Sequence, residues 1–420
     1  MKVLVVSSTF PPMKSGGAEY AFRLCQHLAE AKLDVHVLVS KIQGVVADSR
    51  IKVYPVMRRW TWSELPRLLR VVSRTSPDVV NVHFTGEIYH NQPMVTFLPS
   101  ILKRLYPGLS VVALIEYPKG ANLNLVPLST RLVRKGIAWW IGSNNIDWGF
   151  GTLLRDSDRL VVLSDQHRQI LQDHFPVASK KCVLIPPPPL LHMCKEDDGL
   201  ARQRGRELLG LGPGAFVIAY YGFIYPGKGI ETLMESVRLL NERGCAAYLV
   251  LVGGSNEVVL RSLNRQSYLE ELQNLSELLG IASKVKFTGY YPSESDRGSL
   301  FLRASDACVL PFDDGVMLSR SSFAAAAVHG LPTVTTRGTI LESPFIDRKN
   351  VLLCRPKDPK SLADSIYLLI HDSQLRQRLH DGILELAHEW FSWERTLNRM
   401  IEVFSQSIID SRRSKSMVVQ

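Results

Sequence analysis

No apolar run in this sequence approaches the ~20 residues that a membrane-spanning helix needs. Runs such as Val111–Ile115 and Ile137–Ile141 hold five residues each. Nothing is therefore expected to cross a bilayer. A secretory leader is not expected either, because Lys2 is followed only by Val3–Val6 before Ser7, Ser8 and Pro11-Pro12. Cysteine is sparse: Cys25, Cys182, Cys194, Cys245, Cys308 and Cys354 form no C-x-x-C pair and meet no histidine at metal-ligand spacing. That argues against structural zinc and suits free thiols in a reducing cytosol. The G-x-G-x-x-G and G-x-x-x-x-G-K-[ST] signatures are missing too, which speaks against NAD and against a P-loop ATPase. The 28 glycines and 23 prolines follow no short period, and 45% hydrophobic with 21% charged residues is an ordinary globular balance. At 420 residues the chain suits two or three domains.

Charge is unevenly spread. Residues 1–190 carry 23 Lys+Arg against 13 Asp+Glu, and residues 191–420 carry 27 of each. The whole excess of +10 lies in the first half, which is expected to face something anionic: nucleic acid, phosphorylated lipid or an acidic membrane surface.

Short apolar runs alternate with helical patterns along the chain. Strands are expected at Val3–Ser7, Val35–Val39, Val79–His83, Val111–Ile115 and Arg159–Leu163, with helices at Ala18–Ala31 and Ser63–Arg74. Ser63 would cap the second helix, with Pro66 in its first turn. Four prolines, Pro186–Pro189, and the polar stretch Lys195–Arg206 then suggest a linker. The alternation restarts at Phe216–Gly222 and continues through Gly229–Asn241, Ala247–Val252, Tyr268–Leu279, Val285–Thr288, Ala307–Leu310, Ser321–Val328 and Thr333–Thr335. Helices Ser361–His371, Ser373–Glu389 and Trp393–Ser407 close it. The pattern predicts an α/β chain with two Rossmann-like, doubly wound parallel-sheet domains and a ligand cleft at the strand ends. The expected boundaries are 1–190, a linker over 191–212, a second domain over 213–390, a last helix over 391–410 and a basic tail over 411–420.

Three loops that follow strands carry candidate chemistry. Gly16-Gly17 opens a helix, where backbone N–H groups can approach an anion; a plain tight turn explains the pair equally well. In Gly222-Phe223-Ile224-Tyr225-Pro226-Gly227-Lys228-Gly229, Lys228 stands at a helix start and suits the phosphates of a nucleotide. In Asp313-Asp314-Gly315-Val316-Met317-Leu318-Ser319-Arg320-Ser321-Ser322, Arg320 and the helix start suit a diphosphate. Ser321 would also serve as a simple cap.

The order of these loops resembles the retaining, family 4 class of GT-B glycosyltransferases over nearly the whole chain. The likeness runs from Pro11-Pro12…Gly16-Gly17-Ala18-Glu19 through Lys228-Gly229, Leu251-Val252-Gly253-Gly254, Val285-Lys286-Phe287-Thr288-Gly289 and Ala304-Ser305-Asp306. It ends with His329-Gly330-Leu331-Pro332 and Phe391-Ser392-Trp393-Glu394. It implies a nucleotide-diphosphate sugar bound by the second domain through Lys228, Gly229, Thr288, Arg320, Ser321 and Ser322, with Gly16 and Gly17 of the first domain also meeting the diphosphate. It also implies an acceptor bound by the first domain, front-face retention, and no metal or other cofactor. Two features depart from the family. Met317 and Ala325 stand where it places paired glutamates, and Phe223 stands where it places an arginine. Asp314, Arg320 and Ser322 are the expected substitutes. Glu116 occupies the place of a family histidine near the sugar, unless it merely pairs with Lys119. His83 is a further cleft candidate, unless it is a hydrogen-bonded structural group.

The basic faces Arg67/Arg70/Arg74 and Arg131–Trp140 raise membrane contact; a solvated face is expected for the first and an anionic membrane surface for the second. A cytoplasmic, peripherally attached enzyme acting on a sugar or lipid-linked acceptor follows. A non-catalytic scaffold of the same fold stays open. A nucleic-acid binder is disfavoured, since no such signature appears.

Overall fold

The computed structural model describes residues 1–45, 48–119, 132–133, 135–136, 139–140, 149–292 and 294–418. The chain forms two compact units. The first comprises Met1–Met13, Gly17–Pro186 and Glu394–Gln420, and the second Lys14–Gly16 and Pro187–Trp393.

In the first unit, seven strands form one sheet in the order β3-β2-β1-β4-β5-β6-β7. They are β1 Lys2–Val6, β2 Asp34–Ser40, β3 Ile51–Met57, β4 Val79–Phe84, β5 Ser110–Ile115, β6 Arg159–Val162 and β7 Cys182–Leu184. Every pairing is parallel. Strands β4 and β5 are buried along their whole length, as a sheet covered on both faces requires. On one face Leu4, Val6, Val80, Val82, Val111 and Ala113 join a continuous core with Leu68 and Val72 of the Leu65–Thr75 helix. Edge strand β3 escaped the sequence reading because Pro55 interrupts its pattern, a residue that only an edge position tolerates.

In the second unit, six parallel strands run β10-β9-β8-β11-β12-β13. They are β8 Phe216–Tyr221, β9 Ala247–Val252, β10 Val285–Phe287, β11 Ala307–Leu310, β12 Thr333–Thr336 and β13 Leu352–Cys354. Both sheets thus step outward from a first strand and then reverse. The reversal falls between β1 and β4 in one and between β8 and β11 in the other.

Four expectations need correction. The polar stretch taken as a linker contains a helix, Asp198–Leu209, that belongs to the second unit. Asp197 caps it by accepting from the Gly199 N–H at 2.9 Å. Arg206, only 5% exposed, donates to the carbonyls of Ala304, Gly212, Pro213 and Ala215 and to Asp306, so its charge and all its buried donors are answered. Ser63 does not cap its helix: it lies inside a 3-10 turn, Trp62–Glu64, and the helix begins at Leu65. Ser321 does not cap either, since Arg320 holds the cap position and supplies no side-chain cap. The expected basic tail continues the last helix, Trp393–Val418, as far as Val418. That helix buries Met400, Val403 and Phe404 and pairs the Ser407 and Ser110 hydroxyls at 2.7 Å.

All six cysteines are free thiols; Cys182 is half-buried and the others are buried. Burial pushes the Cys25 and Cys308 thiols far up, Cys182 to about 11 and Cys354 to about 12.

Candidate active site

Ligands of open parallel sheets gather where the strand order reverses, outside the carboxyl ends of the strands. In the second unit that place is built by the loops after β8 and β11. Gly222 (φ +130°) and Gly229 (φ +69°) adopt backbone conformations that side chains rarely take. At Gly229 a Cβ would sit 1.9 Å from the Pro311 carbonyl oxygen, so glycine alone lets the two loops touch. That contact seats Lys228, 9% exposed, beside the second loop. Its Nζ lies 4.7 Å from the Tyr225 ring centroid and 5.0 Å from that of Phe312. The Arg320 guanidinium lies over the same Phe312 ring at 4.7 Å and bonds Asp314 Oδ1 at 2.5 Å. Ser321 and Ser322 open the Ser321–Val328 helix beside them, and Ser322 packs on Gly222.

Two cations against one ring, next to a helix start, make a strongly positive patch. Burial lowers the Lys228 pKa, partly opposed by Tyr225. Burial raises the Tyr225 phenol, yet the Lys228 and Arg320 charges bring it below its ordinary value overall. The positions of the family glutamates are filled by Met317 and Ala325, 4% and 0% exposed, and the buried Glu342 carboxylate accepts from the neighbouring Leu318 N–H. The Thr288 hydroxyl accepts from the Gly253 N–H at 3.0 Å, tying the ends of β9 and β10. Asp314 is mostly exposed and serves Arg320.

In the first unit the reversal brings Gly17, His83 and Glu116 together. Gly17 lies in the first turn of the Gly16–Glu30 helix, and a Cβ there would meet Glu116 Oε2 at 2.8 Å. Gly16 has open space around it. His83 is fully buried at the end of β4, and Asn81 Nδ2 donates to its Nε2 at 3.1 Å, leaving the proton on Nδ1. That Nδ1 faces Glu116 Oε1 at 3.8 Å, beyond hydrogen-bond reach, and neither atom has another partner. Burial pushes Glu116 up to about 7 and His83 down to about 4, so both are neutral in between. Lys119 pairs with Glu87 at 3.0 Å, which removes the reading of Glu116 as its partner.

Two residues here escaped the sequence reading. Tyr20, one turn beyond Gly17, packs its ring 5.9 Å from His83. Tyr89 donates to the His83 carbonyl at 2.7 Å, with the Val6 carbonyl at 3.2 Å, and so pins β1 to β4 at the reversal. A helical spacing from Gly17 would have found Tyr20; nothing local marks Tyr89.

Among the described residues, Cys194, Glu196 and Asp296 are the three that could offer ligand atoms to one metal ion, within 4.8 Å of one another. The Arg204 guanidinium already bonds Glu196 and lies 3.6 Å from Asp296, so a cation is in place. Arg131 and Arg134 of the expected membrane-facing segment lie outside the described residues. No helix among the described residues is long and apolar enough to cross a membrane.

Comparison with known proteins agrees with this architecture. The family described as Glycosyltransferase Family 4 matches residues 14–188, and that described as Glycosyl transferases group 1 matches residues 202–383. The D-inositol 3-phosphate glycosyltransferase of Jonesia denitrificans is 26% identical over 264 residues, 61% of this chain and 58% of that protein. Its counterpart from Corynebacterium jeikeium is 27% identical over 260 residues, with 60% and 58% covered. The match thus spans about three fifths of these relatives' length. Sucrose-phosphate synthase from Thermosynechococcus elongatus superposes with a TM-score of 0.70 at 17% identity, covering 97% of this chain and 98% of that one. Anabaena Alr3699/HepE, solved with UDP and glucose, gives 0.67 at 16% identity, covering 97% and 100%. With both parallel-sheet units accounted for in chain order, the chain belongs to the family 4-like glycosyltransferases of GT-B fold.

Proposed function

We propose that the protein transfers a glycosyl group from a nucleoside-diphosphate sugar to a hydroxyl-bearing acceptor, with retention and without a divalent metal. The observation that carries this reading is the paired cation site of Lys228 and Arg320 at the reversal of the second sheet. A departing diphosphate needs its growing negative charge met by fixed positive groups, and these two side chains with the adjacent helix start supply them. A neighbour of the same fold holds UDP and glucose, which supports a donor of that class. In the first unit, Glu116 presents a polar group to the sugar or acceptor, with the buried, neutral His83 behind it. A donor phosphate oxygen accepts the acceptor's proton as the new bond forms on the face the nucleotide leaves.

The relatives are named for D-inositol 3-phosphate, which favours a polyol, sugar or lipid-linked acceptor carrying negative charge. The basic first 190 residues agree with such an acceptor. They also agree with peripheral attachment to an anionic membrane at the cytoplasmic face. Trp139, 84% exposed, and Leu132, 67% exposed, would enter that interface, with Arg104 over the Trp140 ring at 5.0 Å.

The test is thermal shift against UDP-, GDP- and ADP-sugars with EDTA present. One donor class should raise the midpoint as its concentration rises. Lys228→Ala should weaken that binding by roughly 1.5–3 kcal/mol, the range for a charged hydrogen bond. Donor binding without turnover on any acceptor would instead favour a scaffold, the reading that buried Met317 and Ala325 support. No shift with any donor would end the proposal.

A further inference from the structure

The cation site is framed by aromatic rings where carboxylates would be the ordinary neighbours. Lys228 lies against Tyr225 and Phe312, and Arg320 against Phe312. Asp314 Oδ1 is taken by Arg320. Met317 and Ala325 add no charge. A lysine locked in an ion pair must exchange that partner for an incoming anion, and the exchange cancels much of the attraction. Ring faces and one hydrogen bond to the Tyr225 hydroxyl hold the Lys228 ammonium in place while leaving its full charge and its remaining N–H donors for a ligand. The Phe312 ring also holds the second cation nearby despite their mutual repulsion.

We propose that Tyr225 and Phe312 are positioning residues, whose rings hold Lys228 and Arg320 as one preassembled dicationic seat for a diphosphate. This rests on the donor-site reading above. Phe312 gains its place from the Gly229–Pro311 contact, which brings the two loops together. Tyr225 stands three residues before Lys228 in the same loop, so both rings belong to the elements that carry the cations. Tyr225 holds Lys228 in two ways, by its ring and by its hydroxyl oxygen, which accepts a hydrogen bond from the ammonium.

Isothermal titration of the full-length protein with inorganic pyrophosphate, at fixed ionic strength, tests this. Lys228→Met should weaken binding at least tenfold. Tyr225→Leu and Phe312→Leu should each weaken it about three- to tenfold, within the range of partly desolvated cation–π contacts. Phe312→Tyr, which keeps the ring, should restore the wild-type affinity, and Tyr225→Phe, which keeps the ring but loses the hydroxyl's bond to Lys228, should fall between wild type and Tyr225→Leu. In the Lys228→Met background, Tyr225→Leu should add less than a twofold loss, because its object is gone. Folded leucine variants that bind like wild type would overturn the proposal, as would an undiminished Tyr225→Leu effect without Lys228. If Phe312→Leu does not fold, the Tyr225 arm decides alone. Unchanged binding in Lys228→Met itself would instead bring down the donor-site reading, a separable result.

Discussion

Glu116 and His83 are buried side by side, yet their titrations act on stability in opposite directions. Glu116 moves from its ordinary 4.5 to about 7 on folding, so across that window the folded protein keeps a proton that the unfolded chain has lost. Stability therefore falls as pH rises through it. His83 moves from 6.5 to about 4, and between those values the unfolded chain holds the extra proton. Its contribution rises with pH. Each is on the order of 3 kcal/mol, so over most of their shared range they nearly cancel. Removing one should expose the other. Urea midpoints of Glu116→Gln should climb from pH 4 to 6.5 more steeply than those of wild type, and those of His83→Gln should decline from pH 4.5 to 7. Parallel profiles for the two variants would contradict the burial argument.

At the scale of elements, the glycine turns divide into those that shape backbone and those that admit a side chain. A Cβ at Gly229 would lie 1.9 Å from the Pro311 carbonyl oxygen on a backbone with φ +69°, and neither constraint yields to a small shift. Gly229→Ala should cost at least about 2 kcal/mol in chemical denaturation, through clash and left-handed strain together. Gly17 meets only the far end of Glu116, so Gly17→Ala should leave the denaturation midpoint near wild type. The carboxylate would turn away, and the steep pH dependence assigned to Glu116 would weaken with it. These turns were legible in the sequence because Gly-Gly and Gly-Lys-Gly between a strand and a helix announce a local backbone need. The alternating strands were legible for the same reason. What stayed hidden is contact made at a distance: Arg206 against Asp306, Tyr89 across β1 and β4, the rings around Lys228. A charged stretch such as Lys195–Arg206 looks like a solvated connector until the carbonyls that satisfy it are in place. Thr288, expected at the donor, has its hydroxyl committed to backbone, which the local pattern does not announce.

At the scale of the whole molecule, each unit repeats one plan: strands stepping outward, a reversal, a glycine turn and a helix start. Charge separates the two copies, because the basic excess lies in the first 190 residues while the rest is neutral. The proposed division of labour between an anion-facing acceptor side and a donor side would follow that split. The buried thiols turn this arrangement into a set of built-in clocks. Cys25 sits wholly inside the first unit and Cys308 wholly inside the second, both with thiols that burial holds protonated. An alkylating reagent reaches such a sulfur only when its surroundings open. Peptide-resolved labelling along a urea gradient should modify half-buried Cys182 first, with Cys25 and Cys308 waiting for their own sheets to come apart. The lag between those last two sulfurs would time the unfolding of one half against the other without a single introduced probe.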